Sequence, residues 1–145
     1  METVDEIIQA LDGFIPSADS TETVARLHEL LRPLRAMPDS GRAVRALYGV
    51  LERFPDADLG SPGPIVHALE RVRGYETELR QSLVRLPTSY TLWMCNRVLN
   101  ASTDPQEEDA WMAALEAAAS HPLASESAHA DAISFLAFQR GESQE

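Results

Sequence analysis

Proline and glycine divide residues 61–100 into three short segments, and this division limits what the chain can fold into. Pro62 or Pro64 can occupy the first position of a helix, where proline is tolerated, and Gly74 can end that helix. Pro87 ends the second segment, because proline lacks the amide donor that a helix interior needs. The third segment, residues 90–100 with Thr88 or Ser89 as its cap, is apolar around most of its circumference, which is typical of a central helix.

Helical spacing of apolar residues continues on both sides of this stretch. Apolar residues occupy positions i, i+3, i+4, i+7 and i+10 from Val4 to Phe14 and again from Val44 to Phe54. We therefore predict an all-α chain of about eight short helices in antiparallel pairs. Pairs of ~35–40 residues favour an irregular HEAT-like stack, but no repeat signature is shared, so a compact helical bundle stays open.

Residues 1–145 are predicted to form a single helical domain, because a chain of this length suits one hydrophobic core. The longest loop, residues 55–63, is the best candidate for a hinge. Pro33 is expected to kink the second helix or to end it early.

Other residues predict helix ends and a buried helix face. Asp19 with Glu22, and Asp104 with Glu107, have the spacing of a capping box. The last helix is expected to begin near Ser125. Its predicted inward face consists of Ala128, Ala132, Ile133, Leu136 and Phe138.

The charge of the chain narrows the class of partner. The formal net charge is −11, and all 12 basic residues are arginine. Residues 101–145 hold nine acids and a single arginine, Arg140. The negative electrostatic potential of such a chain repels nucleic acid and attracts a basic protein, so we expect no nucleic-acid partner. The alternative is that these acids only keep a helical face solvated.

The sequence favours a soluble cytoplasmic protein. No apolar run approaches the ~18 residues that a membrane span needs, so no membrane partner is expected. Residues 1–10 hold three acids and no base, unlike a signal peptide. Cys95 is the single cysteine, which excludes an internal disulfide and suits a reducing compartment.

No motif in the sequence indicates catalysis, a metal or a cofactor. Nucleophile-elbow, phosphate-loop and zinc-protease patterns are absent from the sequence. Asp56 and Asp58 form a D-x-D pair in a loop, where acids are usually solvated or cap turns. His67 precedes Glu70 by three residues, but a general base would need a pocket and a nucleophile. We therefore predict no enzyme, no metal and no cofactor, with a structural hydrogen bond for His67.

The helix over residues 90–100 holds the residues most expected to maintain the fold. Cys95 is predicted to be a buried small hydrophobe. Trp93 and Trp111 are more often core than interface, and Trp93→Ala would cost about 3–5 kcal/mol if Trp93 is buried. The polar residues of this helix form either a network between helices or a strip that faces a partner; they are Asn96, Arg97 and Asn100.

A family resemblance supplies a functional lead. Its segments are P-G-P-I-V-H-A-L-E (Pro62–Glu70), Y-E-T-E-L-R-Q-S-L (Tyr75–Leu83) and P-T-S-Y-T-L-W-M-C-N-R-V-L-N (Pro87–Asn100). The chain resembles small all-helical bacterial immunity proteins of polymorphic and contact-dependent toxin systems. The phrase T-x-W-M-x-N-R-x-L-N, which starts at Thr91, is the most specific part of the likeness.

The resemblance implies a cytoplasmic antidote that binds a cognate toxin domain and occludes its active site. If that toxin is a nuclease with a basic cleft, an acidic surface on this chain would mimic phosphates. We therefore predict that eight acids contact the toxin: Asp56, Asp58, Glu70, Glu76, Glu78, Glu107, Glu108 and Asp109.

A second class of function stays open on the sequence. The protein could be a helical adaptor or scaffold that binds a peptide or a helix in a groove between helix pairs. A neighbouring toxin gene would favour the immunity function over the adaptor.

Overall fold

The computed structural model describes residues 3–141, and these residues form eight α-helices and no β-strand. The helices are α1 (Val4–Asp12), α2 (Ser20–Leu31), α3 (Val44–Arg53), α4 (Pro64–Glu70), α5 (Tyr75–Arg85), α6 (Ser89–Ala101), α7 (Pro105–Ala119) and α8 (Glu126–Gln139). Two 3₁₀ helices, Arg32–Ala36 and Ser40–Ala43, lie between α2 and α3. The prediction of an all-α chain with about eight helices is confirmed.

The chain divides into two compact units, and the boundary between Glu78 and Leu79 falls inside α5. The loop at residues 55–63 lies within the first unit. A single domain over residues 1–145, a hinge in that loop, and the choice between a stack and a bundle stay predictions. Within residues 3–141, no helix is long and apolar enough to cross a membrane.

Alternate helices pack together in the first unit. α1 packs against α3, and α2 packs against α4. Buried leucine and isoleucine side chains recur four residues apart on all four of these helices, which places each pair on one face. These pairs are Ile7 and Leu11, Leu27 and Leu31, Leu47 and Leu51, and Ile65 and Leu69. The apolar residues that recur with helical spacing in the sequence therefore face the interior of the first unit.

Local chemistry sets the helix ends in the first unit. α2 ends at Leu31, and a 3₁₀ helix with Pro33 near its start follows, as proline requires. Asp19 caps α2, because its Oδ1 accepts the amide of Thr21 at 2.9 Å. The predicted capping box is only half formed, because Ser17 Oγ rather than Glu22 accepts the Asp19 amide, at 3.1 Å.

Three neighbouring helices pack together in the second unit. α7 packs against α8, and α6 packs against both. Ala118, Ala128 and Ala132 are buried on α7 and α8, and their small side chains permit close approach of the two backbones. The buried side chains of α6 are Thr91, Leu92, Met94, Cys95 and Leu99.

The N-terminus of α7 differs from the prediction in one respect. Asp104 caps the helix, with its Oδ1 accepting the amide of Gln106 at 3.0 Å. Glu107 does not complete a capping box, because Ser102 Oγ accepts the Asp104 amide at 3.3 Å. The Glu107 carboxylate lies 3.7 Å from the guanidinium of Arg80.

The predicted inward face of α8 is wrong at two positions. Ala128, Ala132 and Leu136 are buried, but Ile133 and Phe138 are 58% and 57% exposed. The buried residues repeat at i, i+4 and i+8, so a narrow stripe of α8 meets its neighbours. Ile133 and Phe138 lie outside that stripe and face solvent although both are apolar.

The two tryptophans of the second unit differ in burial. Trp111 is 1% exposed, with the guanidinium carbon of Arg80 4.5 Å from its ring centroid. Trp93 is only partly buried, and the Arg97 guanidinium lies 4.8 Å from its ring centroid. Trp111 is therefore the tryptophan of the core.

Polar residues of α6 tie it to α8. The side-chain amide of Gln139 donates to Asn96 Oδ1 at 2.7 Å and to Asn100 Oδ1 at 2.9 Å. The network predicted for this strip of α6 is therefore present at these two residues.

Candidate partner-binding surface

Three acids of the first unit lie near the buried side chain of Tyr48. The residue is fully buried on α3, and its hydroxyl donates to the carbonyl oxygen of Tyr75 at 3.2 Å. Burial raises the pKa of the Tyr48 phenol far above its ordinary value. The Tyr75 phenol and three carboxylates raise that pKa further; the carboxylates are those of Glu76, Glu78 and Glu70. The Tyr48 hydroxyl therefore stays protonated and remains a hydrogen-bond donor.

The turn between α4 and α5 brings these three carboxylates close to one phenol. Gly74 lies in that turn with a φ of 84°, a conformation that side chains with a Cβ rarely adopt. The turn lets Glu70, at the end of α4, approach Glu76 and Glu78, in the first turn of α5. We call Glu70, Glu76 and Glu78 the acidic cluster.

Glu78 differs from the other two members of the acidic cluster. Its Oε2 atom is buried and has no hydrogen-bond partner within residues 3–141. A buried carboxylate oxygen without a donor is unfavourable, because it has lost its water and gained no replacement. Glu76 is exposed, and Glu70 is partly buried. The cluster thus concentrates negative charge at a cost in folding free energy.

The two acids of the D-x-D pair lie in the loop after α3. Asp56 and Asp58 are both exposed. Asp58 Oδ1 accepts the amide of Gly60 at 3.1 Å, which closes a local turn. This bond gives Asp58 a structural use, so the acidic cluster is the stronger candidate for contact with a partner.

The three predicted acids of the second unit lie in the first turns of α7. Glu107 and Asp109 are exposed, and Glu108 is partly buried. Their position near a helix N-terminus favours negative charge by itself. Glu107 also lies beside Arg80, whose guanidinium covers Trp111. At least Glu107 therefore has a structural reason for its place.

Cys95 is the second group with a shifted pKa. Burial raises the pKa of the Cys95 thiol to about 12, and Arg80 opposes that rise. The Sγ atom lies 3.7 Å from the carbonyl oxygen of Trp111, to which the thiol donates. The thiol is fully buried, as predicted, and stays protonated at neutral pH.

His67 does not have the structural role that the sequence predicts. Its ring is exposed and makes no hydrogen bond within residues 3–141; it lines a surface cavity together with arginine side chains. Those arginines are not among the site residues predicted above, although their spacing is visible in the sequence. Among the described residues, no group of three or more His, Cys, Asp or Glu side chains could hold a metal ion.

Comparison of the chain with protein-family models, with curated proteins and with solved structures finds no match.

Proposed function

We propose that this protein is an immunity protein, which binds a cognate toxin domain and blocks its active site without catalysing a reaction. The proposal rests on one observation, the gathering of the acidic cluster around the buried Tyr48 hydroxyl. A partner that supplies arginine or lysine to this cluster would place opposite charge beside its carboxylates. A nuclease domain with a basic substrate cleft has the matching charge.

Electrostatics also favours fast association with such a partner. The chain carries a net charge of −11, and complementary charge raises the association rate of two proteins, most strongly at low salt. Rapid capture suits an antidote, which must act before the toxin meets its target. In this proposal the other predicted acids guide the encounter at longer range.

The surroundings of Tyr48 and Cys95, whose pKa values are raised, favour a structural role for both rather than catalysis. Strongly shifted groups mark active sites when they lie in a cleft and can reach a substrate. Tyr48 and Cys95 are instead fully buried, and each donates to a backbone carbonyl oxygen. Neither is placed to exchange a proton with a bound molecule.

Toxin rescue tests the proposal. The domain encoded by the neighbouring gene would be expressed from an inducible promoter, and viable cells would be counted with and without this protein. We expect this protein to restore growth, and the purified pair to bind more tightly at low salt. A toxic domain that is neither bound nor neutralised would refute the immunity function.

A matched pair of variants then tests the acidic cluster. The first variant carries E70Q, E76Q and E78Q, and the second carries D12N, E22Q and E126Q, so each loses three negative charges. We expect the first to weaken toxin binding by about 10–100-fold at low salt, mainly through slower association, and the second by less than about threefold. Equal losses would show that net charge, and not the acidic cluster, directs the partner.

An adaptor is the second candidate, favoured by an exposed apolar pair in the second unit. Val84 and Leu123 are 73% and 72% exposed. His121 joins their backbones, since its Nε2 contacts the Val84 carbonyl oxygen at 2.8 Å and its Nδ1 accepts the Leu123 amide at 3.1 Å. If this pair anchors an amphipathic helix, replacing both residues with serine would abolish partner binding while removal of the acidic cluster would not.

A further inference from the structure

A surface cavity of about 330 Å³ in the first unit is lined by cationic and ionisable side chains, although the chain as a whole is acidic. Three arginines and two histidines contribute to its wall: Arg32, Arg35, Arg71, His28 and His67. None of the described residues that line it is acidic. With 23 acids in the sequence against 12 arginines, this composition is opposite to that of the whole chain.

Two helical stripes that face each other across the cavity produce this lining. His28 lies in the last turn of α2, and Arg32 and Arg35 lie three residues apart in the 3₁₀ helix that follows, so these two arginines share one face. His67 on α4 is followed at i+4 by Arg71. Because α2 packs against α4, cationic side chains approach the cavity from both walls.

Two of the three arginines that line the cavity are not paired with a carboxylate within residues 3–141. Arg32 pairs with Glu29, which lies outside the cavity lining, and both side chains are 71% exposed. Arg35 and Arg71 have no ion-pair partner within residues 3–141. Like charges gathered on facing helices repel each other, so an anion between them would stabilise the unit.

The rest of the lining gives the cavity an apolar part. Leu31, Pro64 and Ala68 line it beside the cationic side chains. A volume near 330 Å³ lies at the lower end of the range for small-molecule sites, and it exceeds what one inorganic anion needs. The lining therefore fits a small molecule with an anionic group and a less polar body.

We infer that this cavity binds a phosphate-bearing small molecule, with its phosphate held by Arg35 and Arg71 and its body against the apolar wall. A phosphate group presents three oxygens and up to two charges, and the planar guanidinium forms paired hydrogen bonds to it. A single carboxylate would balance only one of the cationic side chains. This inference is independent of toxin binding, because it uses none of the acidic cluster.

Isothermal titration calorimetry would test the inference with inorganic phosphate, diphosphate and AMP, at constant ionic strength in a phosphate-free buffer. We expect at least one of the three to bind saturably with one molecule per chain, and acetate to bind at least about tenfold more weakly. Equal affinity for phosphate and AMP would mean that the phosphate group alone is recognised. Tighter binding of AMP would show that the apolar wall contributes.

Two double variants with the same change of charge separate the site from general electrostatics. R35Q with R71Q removes the two unpaired arginines of the cavity, and R45Q with R73Q removes two exposed arginines elsewhere in the first unit. We expect the first pair to weaken phosphate binding by at least about tenfold and the second by less than about twofold. Circular dichroism would confirm that both variants fold. No saturable binding below ~10 mM, or equal losses in the two variants, would overturn the inference.

Discussion

Replacing Trp111 with alanine is expected to destabilise the second unit by about 3–5 kcal/mol. Trp111 is 1% exposed, and a buried tryptophan removes about 200 Å² from water. At ~25 cal/mol per Å² this burial is worth about 5 kcal/mol, of which alanine keeps a small part. The substitution also removes the ring beneath the Arg80 guanidinium, 4.5 Å away.

Trp93→Ala is the matched control, because it deletes the same side chain from the same unit. Trp93 is partly buried and has Arg97 over its ring. Less apolar area is lost at this position, so we expect a cost at least about 1 kcal/mol smaller than for Trp111→Ala.

Urea unfolding followed by circular dichroism and tryptophan fluorescence would measure both costs. The chain has two tryptophans, so each variant keeps one fluorophore in the second unit. The free energies of unfolding should fall in the order wild type, Trp93→Ala, Trp111→Ala. A cost for Trp93→Ala equal to or above that for Trp111→Ala would show that the burial assigned to the two residues is wrong.

Five further substitutions at four positions test local features of the fold. Gly63→Ala should lower the free energy of unfolding in urea by several kcal/mol, because φ is 94° and an added Cβ would lie 2.0 Å from the Leu59 carbonyl oxygen. Gly74→Ala should lower it by only about 1–2 kcal/mol, because φ is 84° but no atom lies within 4 Å of the added Cβ. Thr88→Ala should cost about 1–2 kcal/mol, because Thr88 caps α6, and Thr88→Ser should restore most of it. The pKa of the Cys95 thiol is raised to about 12 in the folded protein, above the ordinary thiol pKa of ~8.5. The folded state therefore gains its full stability from the protonated thiol below ~pH 8.5 and loses this contribution as pH rises towards 12. Between ~pH 8 and ~pH 10, the free energy of unfolding of Cys95→Ala should fall by about 2 kcal/mol less than that of wild type, and an equal fall in both proteins would show that the thiol pKa is not raised.

The sequence predicted two helix ends that depend on residues next to them in the chain. Pro33 ended α2 and Asp104 capped α7 as predicted, because both effects act within one turn of backbone. The capping boxes failed for a reason equally local, since Ser17 and Ser102 accept the amides of the Asp caps. A serine two residues before the cap therefore competes with the glutamate of a capping box for the same amide.

Burial on α8 illustrates what periodicity leaves undecided. Ile133 and Phe138 are as apolar as Leu136, yet only Leu136 is buried. The width of the contact stripe depends on how close α7 and α8 approach, and their buried alanines set that approach. Hydrophobicity indicates which residues gain from burial, but the number of neighbouring helices decides which of them achieve it.

By itself the sequence determined the all-α class, the helix punctuation and the acidic charge, because each follows from the residues and their spacing along the chain. Only the tertiary structure placed the acidic cluster around Tyr48 and brought His67 and Arg71 opposite Arg32 and Arg35. Spacing along a helix determines which side chains share a face. Which helix faces meet depends on how whole helices pack against each other. The surroundings of Tyr48 and the cavity both need this packing, because each combines side chains that are distant in sequence.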